Sequence, residues 1–196
     1  MIQLPLNCSV QYDDQFLSQK ESTALYQKLK LCIATAPQKI DLPNGEHILL
    51  EAPKTQFALP EFIATEKMHK AQGEIQVMFP ELERIKQKLE TLTQRRLDVC
   101  VAIYYSSGAV GVDYHSDLSA FGDTSCIPSI SLGATRTFSL RENINHANSY
   151  DLELVHGSLV IMGENCQEHY EHAILADPSI QEDRINLTFR TFGGLN

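Results

Sequence analysis

Apolar positions recur at helical spacing in two places along the chain. From about Ser18 to Ala34, the residues Leu25, Leu29, Cys32 and Ile33 fall close to one face, which predicts a helix. A second helix is predicted from Pro80, a residue suited to a first turn. There Leu82, Ile85, Leu89 and Leu92 make one stripe, with Lys86 and Lys88 facing water. Between them, Ala36 to Phe79 is interrupted by Pro37, Pro43, Pro53 and Pro60, and Asn44-Gly45 marks a turn. That stretch is expected to hold short strands, long loops or a lid. The first 20 residues show no pattern with a chemical meaning.

After Arg95-Arg96 the pattern becomes β-like. Leu97 to Tyr105 is a nearly continuous β-favouring run, as expected of a buried strand, and a Ser-Ser-Gly turn at 106–108 follows. A loop is predicted from Leu118 to Pro128, strand character from Ser129 to Leu140, and a polar loop at 141–149. Leu152, Leu154, Leu159, Val160 and Ile161 mark two strands around His156-Gly157. The last strand, Arg184 to Phe192, alternates: Arg184, Asn186, Thr188 and Arg190 on one face, Ile185, Leu187 and Phe189 on the other. Helices followed by many short strands indicate an α+β fold built on a β-sandwich or barrel.

Composition narrows the picture. A length of 196 residues fits one domain with a sizeable core. No apolar run reaches membrane-spanning length and the first residues lack a basic region before an apolar stretch, so neither span nor leader is expected. Cys8, Cys32, Cys100, Cys126 and Cys166 are scattered, which suggests reduced thiols in a cytoplasmic protein. The net charge of −9 excludes a globally basic nucleic-acid binder, so any such contact needs a local patch.

The candidate chemistry centres on His115-Ser116-Asp117. A His and an Asp one residue apart, joined by a second His from elsewhere, make the facial triad of non-haem Fe(II) oxygenases, which leaves three positions open. Support comes from His172 and from the polar face of the last strand. Arg184 and Arg190 lie six residues apart, about 20 Å at roughly 3.3 Å per residue. Two long side chains leaning together over that span can bracket a small dicarboxylate with bidentate forks. A solvated amphipathic edge strand is the plainer alternative. Arg136 either lines a site or pairs with Asp123 or Glu142, and the glutamates at 164–171 suit an exposed acidic loop. His47, His69, His146 and His156 suit ordinary surface or core positions.

Taken together, His115-Ser116-Asp117, Ser131-Leu132-Gly133-Ala134-Thr135-Arg136-Thr137-Phe138, His156 to Met162, His172, and Arg184-x-Asn186-x-Thr188-Phe189-Arg190 resemble the AlkB family of Fe(II)/2-oxoglutarate dioxygenases over residues 79–192. The resemblance implies a double-stranded β-helix (jelly roll) in a single domain, 1–196. Residues 1–78 would form the N-terminal helix and substrate lid, and 79–196 the support helix and jelly-roll core. It further implies Fe(II) bound by His115, Asp117 and His172, with O2 as oxidant. His172 is favoured over His169 because Tyr170-Glu171-His172-Ala173-Ile174 fits the family pattern. Arg190 would lie near the C1 carboxylate of the co-substrate 2-oxoglutarate and Arg184 would pair with its C5 carboxylate, with Asn186 beside it and the Tyr105 hydroxyl helping. Two positions depart from the family: Ile103 replaces an asparagine that touches 2-oxoglutarate, and Leu118-Ser119 occupies the place where base-dealkylating members carry an acidic residue.

By resemblance the substrate is an N-alkylated nucleobase in DNA or RNA, with single strands favoured because a paired base must be flipped out. Candidate phosphate contacts are Lys54, Lys67, Lys70, Arg136 and Arg141. A protein or small-molecule substrate is the rival reading, and a non-catalytic jelly-roll binding protein the third. No membrane partner is expected, and the chain is expected to act as a monomer.

Overall fold

The computed structural model describes residues 1–41, 46–68, 73–118 and 122–192. Two sheets face each other. The larger runs in the order β1 (Ile2–Gln3), β2 (Val10–Asp13), β12 (Leu159–Met162), β9 (Ile127–Gly133), β14 (Arg184–Arg190), β7 (Val99–Tyr105), β5 (Lys54–Ala58) and β6 (Glu74–Val77). Its pairings are antiparallel apart from β5 with β6. The smaller sheet is β11 (Ser149–Leu154), β10 (Arg136–Glu142), β13 (Tyr170–Ile174) and β8 (Val112–His115). A hairpin of β3 (Gln38–Asp41) and β4 (His47–Leu50) stands apart. This is the sheet-rich jelly roll that the strand pattern and the resemblance imply.

Two helices seal the outer face of the larger sheet. Helix α1 (Gln19–Lys30) starts at a capping box: the Ser18 hydroxyl accepts from the Glu21 N–H, and the Glu21 carboxylate accepts from the Ser18 N–H at 3.0 Å. Helix α3 (Pro80–Thr93) has Pro80 in its first turn and ends on Gln94 in the left-handed region. Leu25 and Leu29 of α1 and Leu82 and Leu89 of α3 pack with Cys100, Ala102, Ile130, Leu132, Ile185, Leu187 and Phe189. Each large side chain buried this way contributes roughly 1.5–3 kcal/mol. The other face of the same strands, with Tyr105, Ile127, Val160 and Met162, turns toward Phe138, Leu140, Leu154, Tyr170 and Ile174 of the smaller sheet.

Several expectations change. The α3 stripe stops before Leu92, which is exposed. Lys86 is half-buried and paired with Glu90 at 2.9 Å, and the Lys88 ammonium donates to the Phe16 carbonyl and sits 4.0 Å above the Phe16 ring. Lys86 is thus paired within the helix, while Lys88, exposed as expected, also ties the helix to the segment before α1. The run from Ser129 to Leu140 is two strands in different sheets. Gly133 breaks it, at φ 91 with the Asp183 carbonyl so close that a Cβ would stand 2.4 Å away. Residues 1–78 supply β1, β2, β5 and β6 to the larger sheet in addition to α1, the short helix α2 (Pro60–Ile63) and the hairpin. Short strands such as β2 are too brief for a periodic signal, and pairing with β1 and β12 makes β2 a strand. Glu171, expected in an exposed loop, lies on β13 and pairs with Arg141 at 2.7 Å.

Arg136 corrects both readings made of it. It pairs with neither Asp123 nor Glu142, which bond to Ser125 and to Asn7 and Asn148 respectively. It is 1% exposed and donates to the carbonyls of Ser107, Gly108, Val110 and Leu175 at 2.8–3.1 Å. The guanidinium therefore clamps the loop after β7 to the end of β13. Arg136→Met is expected to lower unfolding free energy by about 3–5 kcal/mol, since several buried carbonyls lose their donor at once. Denaturant titration checks this, and wild-type stability in that variant would remove the clamp from the fold's supports.

Candidate active site

The two sheets enclose a cavity of about 850 Å3. Residues paired across antiparallel strands project to the same face, so the cavity wall from the larger sheet is a set of cross-strand rows. Arg184 stands opposite Tyr105, Asn186 opposite Ile103, Thr188 opposite Val101 and Arg190 opposite Val99. Three rows continue onto β5, where Lys54 opposes Ile103, Gln56 opposes Val101 and Ala58 opposes Val99. The polar face of the last strand is thus interior, and the solvated edge strand is excluded: Arg184, Asn186 and Thr188 are all buried.

At one end Arg184 is 1% exposed. Its Nη2 donates to Ser131 Oγ at 2.9 Å and to Asn186 Oδ1 at 3.0 Å. Asn186 in turn donates to Thr188 Oγ1 at 2.7 Å, and Thr188 meets Ser129 at 3.2 Å. These bonds orient the guanidinium, while its Nε and Nη1 have no hydrogen-bond partner. The guanidinium lies 5.0 Å from the centre of the Tyr105 ring. Burial lowers the Arg184 pKa, opposed by Tyr105, and burial raises that of Tyr105, opposed by Arg184. A buried cation with two donors unfilled is a receptor for a carboxylate.

At the other end the smaller sheet brings two histidines together. His172 on β13 registers against His115 on β8, and their ring centroids are 4.4 Å apart. Asp117 follows the end of β8, with its N–H donated to Gln167 Oε1 at 2.8 Å. His172 Nε2 is 3.9 Å from Asp117 Oδ2, and His115 Nε2 is 4.0 Å from Asp117 Oδ1. One donor atom from each of the three lies within 4.8 Å of the others. His115 Nδ1 stands 2.8 Å from the Asp113 carbonyl, an arrangement that assigns its proton to Nδ1 and leaves Nε2 open. Two imidazoles and a carboxylate converging on one point fit Fe(II).

Charge at this end is set by burial and by Arg190. Burial pushes the His172 pKa down to about 4, so the ring is neutral at ordinary pH and one ring nitrogen keeps a lone pair for a metal. Burial alone would raise the Asp117 carboxyl. The charge of Arg190, 2.6 Å from Oδ1, together with His172 and His115, outweighs it and holds the carboxyl below its usual range. His169, three residues before His172, is exposed and bonds to the Asn7 carbonyl.

The structure thus gathers His115, Asp117, His172, Tyr105, Arg184, Asn186 and Arg190 around one cavity. Ile103 lies between Asn186 and Lys54 in its row, while Ser119, His69 and Lys70 lie outside the described residues. The expected phosphate patch is not assembled. Lys54 lines the cavity, Arg136 is buried, Arg141 is paired with Glu171 and stacked 3.7 Å over Tyr114, and Lys67 alone of the described candidates is an exposed cation outside the cavity. Gln167 is the site residue that the sequence did not reveal, because it belongs to no spaced motif, and Lys54, expected at a phosphate outside, lines the cavity instead.

Comparison with known proteins places these residues in context. Residues 10–190 match the model of the 2OG-Fe(II) oxygenase superfamily. The chain is 31% identical over 121 residues to the alpha-ketoglutarate-dependent dioxygenase alkB homolog 3 of Mus musculus, covering 57% of this chain and 42% of that protein. It is 29% identical over 119 residues to the DNA oxidative demethylase ALKBH2 of Homo sapiens, covering 57% and 46%. The chain therefore spans less than half the length of these curated relatives. The solved structure of OsALKBH1 superposes with a TM-score of 0.62 at 14% identity, over 96% of this chain and 100% of that one, and shares the fold.

Removing a ligand and removing its neighbour distinguish the two histidines. His172→Ala is expected to abolish Fe(II) binding in an anaerobic calorimetric titration, and His169→Ala to leave it intact, with both variants folded by circular dichroism. The reverse pattern would place the metal on His169.

Proposed function

This chain belongs to the 2OG-Fe(II) oxygenase superfamily, and on that footing we propose that it is an Fe(II)- and 2-oxoglutarate-dependent dioxygenase that removes N-alkyl groups oxidatively from nucleobases in single-stranded DNA or RNA. The observation that carries the reading is a single cavity with a metal-ligand cluster at one end and an unsatisfied buried guanidinium at the other. The likeness to a DNA oxidative demethylase supports the substrate class.

When bound, Fe(II) supplies the activation of O2 by which 2-oxoglutarate becomes succinate and CO2 and the N-alkyl carbon gains a hydroxyl, after which the hemiaminal releases formaldehyde. The chain's own residues bind, orient and keep the site dry. His115, Asp117 and His172 would hold the metal, and Arg190 occupies Asp117 Oδ1 while Oδ2 faces His172. Arg184 takes the distal carboxylate of 2-oxoglutarate on its free Nε and Nη1, and Asn186 and Ser131 keep the fork aimed. Tyr105 adds a hydroxyl beside it. Val99, Val101 and Ile103 line the wall between the two ends and exclude water.

A protein or small-molecule substrate is the second reading. The dispersal of the expected basic patch favours it: Arg136 is buried and Arg141 neutralised, on a chain of net charge −9. A panel of methylated single-stranded oligonucleotides separates the two. Succinate formation coupled to base-dependent formaldehyde release supports nucleobase dealkylation. Succinate without formaldehyde from any base moves the substrate to the second class, and no Fe(II)-dependent consumption of 2-oxoglutarate overturns the enzyme itself.

Two expectations follow from the cavity. Arg184→Ala should raise the apparent Kd for 2-oxoglutarate by about 100-fold, since charged hydrogen bonds to a buried carboxylate are lost at about 1.5–3 kcal/mol each, and Arg184→Lys should recover only part. An unchanged Kd in Arg184→Ala removes this residue from the site. Oligonucleotide binding should be weak, with a shallow salt dependence. One or two phosphate contacts give a slope of log affinity against log salt of roughly −0.7 to −1.4 for single strands. A steep slope with tight duplex binding would contradict the dispersed cations.

A further inference from the structure

Lys54 is a third cation of the cavity, and the assignments above leave it without a role. It ends the cross-strand row Asn186–Ile103–Lys54, and the segment leading into it, with Leu49, Leu50 and Ala52, lines the same cavity. Its backbone is held tightly. The Gln38 side chain accepts from its N–H at 3.1 Å and donates to its carbonyl at 3.0 Å, and Gly73 packs so close to that carbonyl that a Cβ would stand 2.1 Å away. The ammonium makes no hydrogen bond or ion pair among the described residues. Burial, with the charge of Arg190, holds its pKa below the usual lysine range, opposed by Asp117.

Among the described residues of the wall, no acidic side chain forms an ion pair with this ammonium. Asp117 and Glu51 are the acidic residues of the described lining. Asp117 is engaged by Arg190 at 2.6 Å and faces the two histidines, and Glu51 is exposed to solvent. An ammonium on a largely apolar wall favours a hydrogen-bond acceptor and repels a second cation, because screening there is weak. N-methylated bases divide along this line. 3-Methylcytosine and 1-methyladenine carry a positive charge at neutral pH, whereas 3-methyluracil is neutral and offers carbonyl oxygens beside the methyl group.

We propose that Lys54 selects the charge of the reacting group: the cavity admits a neutral base whose carbonyl oxygen accepts from the Lys54 ammonium, and it rejects a cationic base of the same shape. This rests on the nucleobase reading above for its substrate, and on the position of Lys54 for its selectivity. Arg184 and Arg190 serve the co-substrate and Asp117, so Lys54 is the cation left for the substrate.

The test compares 3-methyluracil with 3-methylcytosine in one short single-stranded oligonucleotide, using wild type, Lys54→Gln and Lys54→Arg. Wild type is expected to favour 3-methyluracil about tenfold or more in kcat/KM, the order set by one uncancelled like charge at short range. Lys54→Gln should bring the ratio close to one and Lys54→Arg should keep it. A wild-type preference for 3-methylcytosine, or the same ratio in Lys54→Gln, overturns the proposal. So does a raised KM for 2-oxoglutarate in Lys54→Gln with the ratio unmoved, which assigns Lys54 to the co-substrate.

A second measurement is independent of nucleic acid. The anaerobic enzyme loaded with Fe(II) and 2-oxoglutarate is titrated calorimetrically with 1-methyl-2-pyridone and with 1-methylpyridinium, flat rings of similar size that differ in charge. Tighter pyridone binding that disappears in Lys54→Gln supports the selectivity even where no oligonucleotide is turned over, an outcome that removes the nucleobase reading alone. Equal binding of the two probes, or binding of neither, overturns the inference.

Discussion

A guanidinium buried with two of its donors unfilled is among the costliest features a small domain can carry, and the arrangement around Arg184 depends on it. The charge cannot be shed, because arginine does not lose its proton in a protein. It is tolerated because a line of neutral hydrogen bonds runs along the strand, from Ser131 and Asn186 to Thr188 and Ser129, and shares the polarity without neutralising it. A site organised in this way is stable enough to fold empty and still strongly disposed to take a carboxylate. The co-substrate of the matched family supplies one.

That requirement explains the layering. The strand of Arg184 must be central, flanked by β9 and β7, so that its polar row is covered by a second sheet and its apolar row by helices. Helices α1 and α3 lock the rows from outside through Leu25, Leu29, Leu82 and Leu89. The smaller sheet then contributes what the larger lacks, a pair of imidazoles brought opposite each other by strand register. Arg190 joins the two halves electrically, reaching from the larger sheet to the carboxylate beside the histidines. The cavity between them sets a largely apolar wall between the buried guanidinium and the His–Asp–His cluster.

The alternation of Arg184, Asn186, Thr188 and Arg190 with Ile185, Leu187 and Phe189 was legible in the sequence, because a strand presents successive side chains to opposite faces. The spacing of His115 and Asp117, the two helices and the α+β class were legible for similar local reasons. Whether the polar row faced water or an interior was not, since that depends on a second sheet far away in sequence. The strand that carries His172 was missed, as were β1 and β2, because short segments acquire strand structure from partners such as β8 and β12. Arg136 was misread because its acceptors are backbone carbonyls, which every residue has and no motif reveals.

Local chemistry, then, was written in the chain: which residues can hold iron, which can hold a carboxylate, and how the last strand divides its faces. Tertiary structure decided the assembly of those residues, by a register that sets His172 against His115 and a row that ends in Lys54. Lys54 shows the division most plainly. In sequence it is one lysine in a proline-broken stretch, suited to a phosphate outside. In the fold its strand pairs with β7, and pairing alone turns its side chain into the cavity. Side-chain type and period are local properties, whereas the identity of the neighbouring strand is fixed by the burial of the whole core.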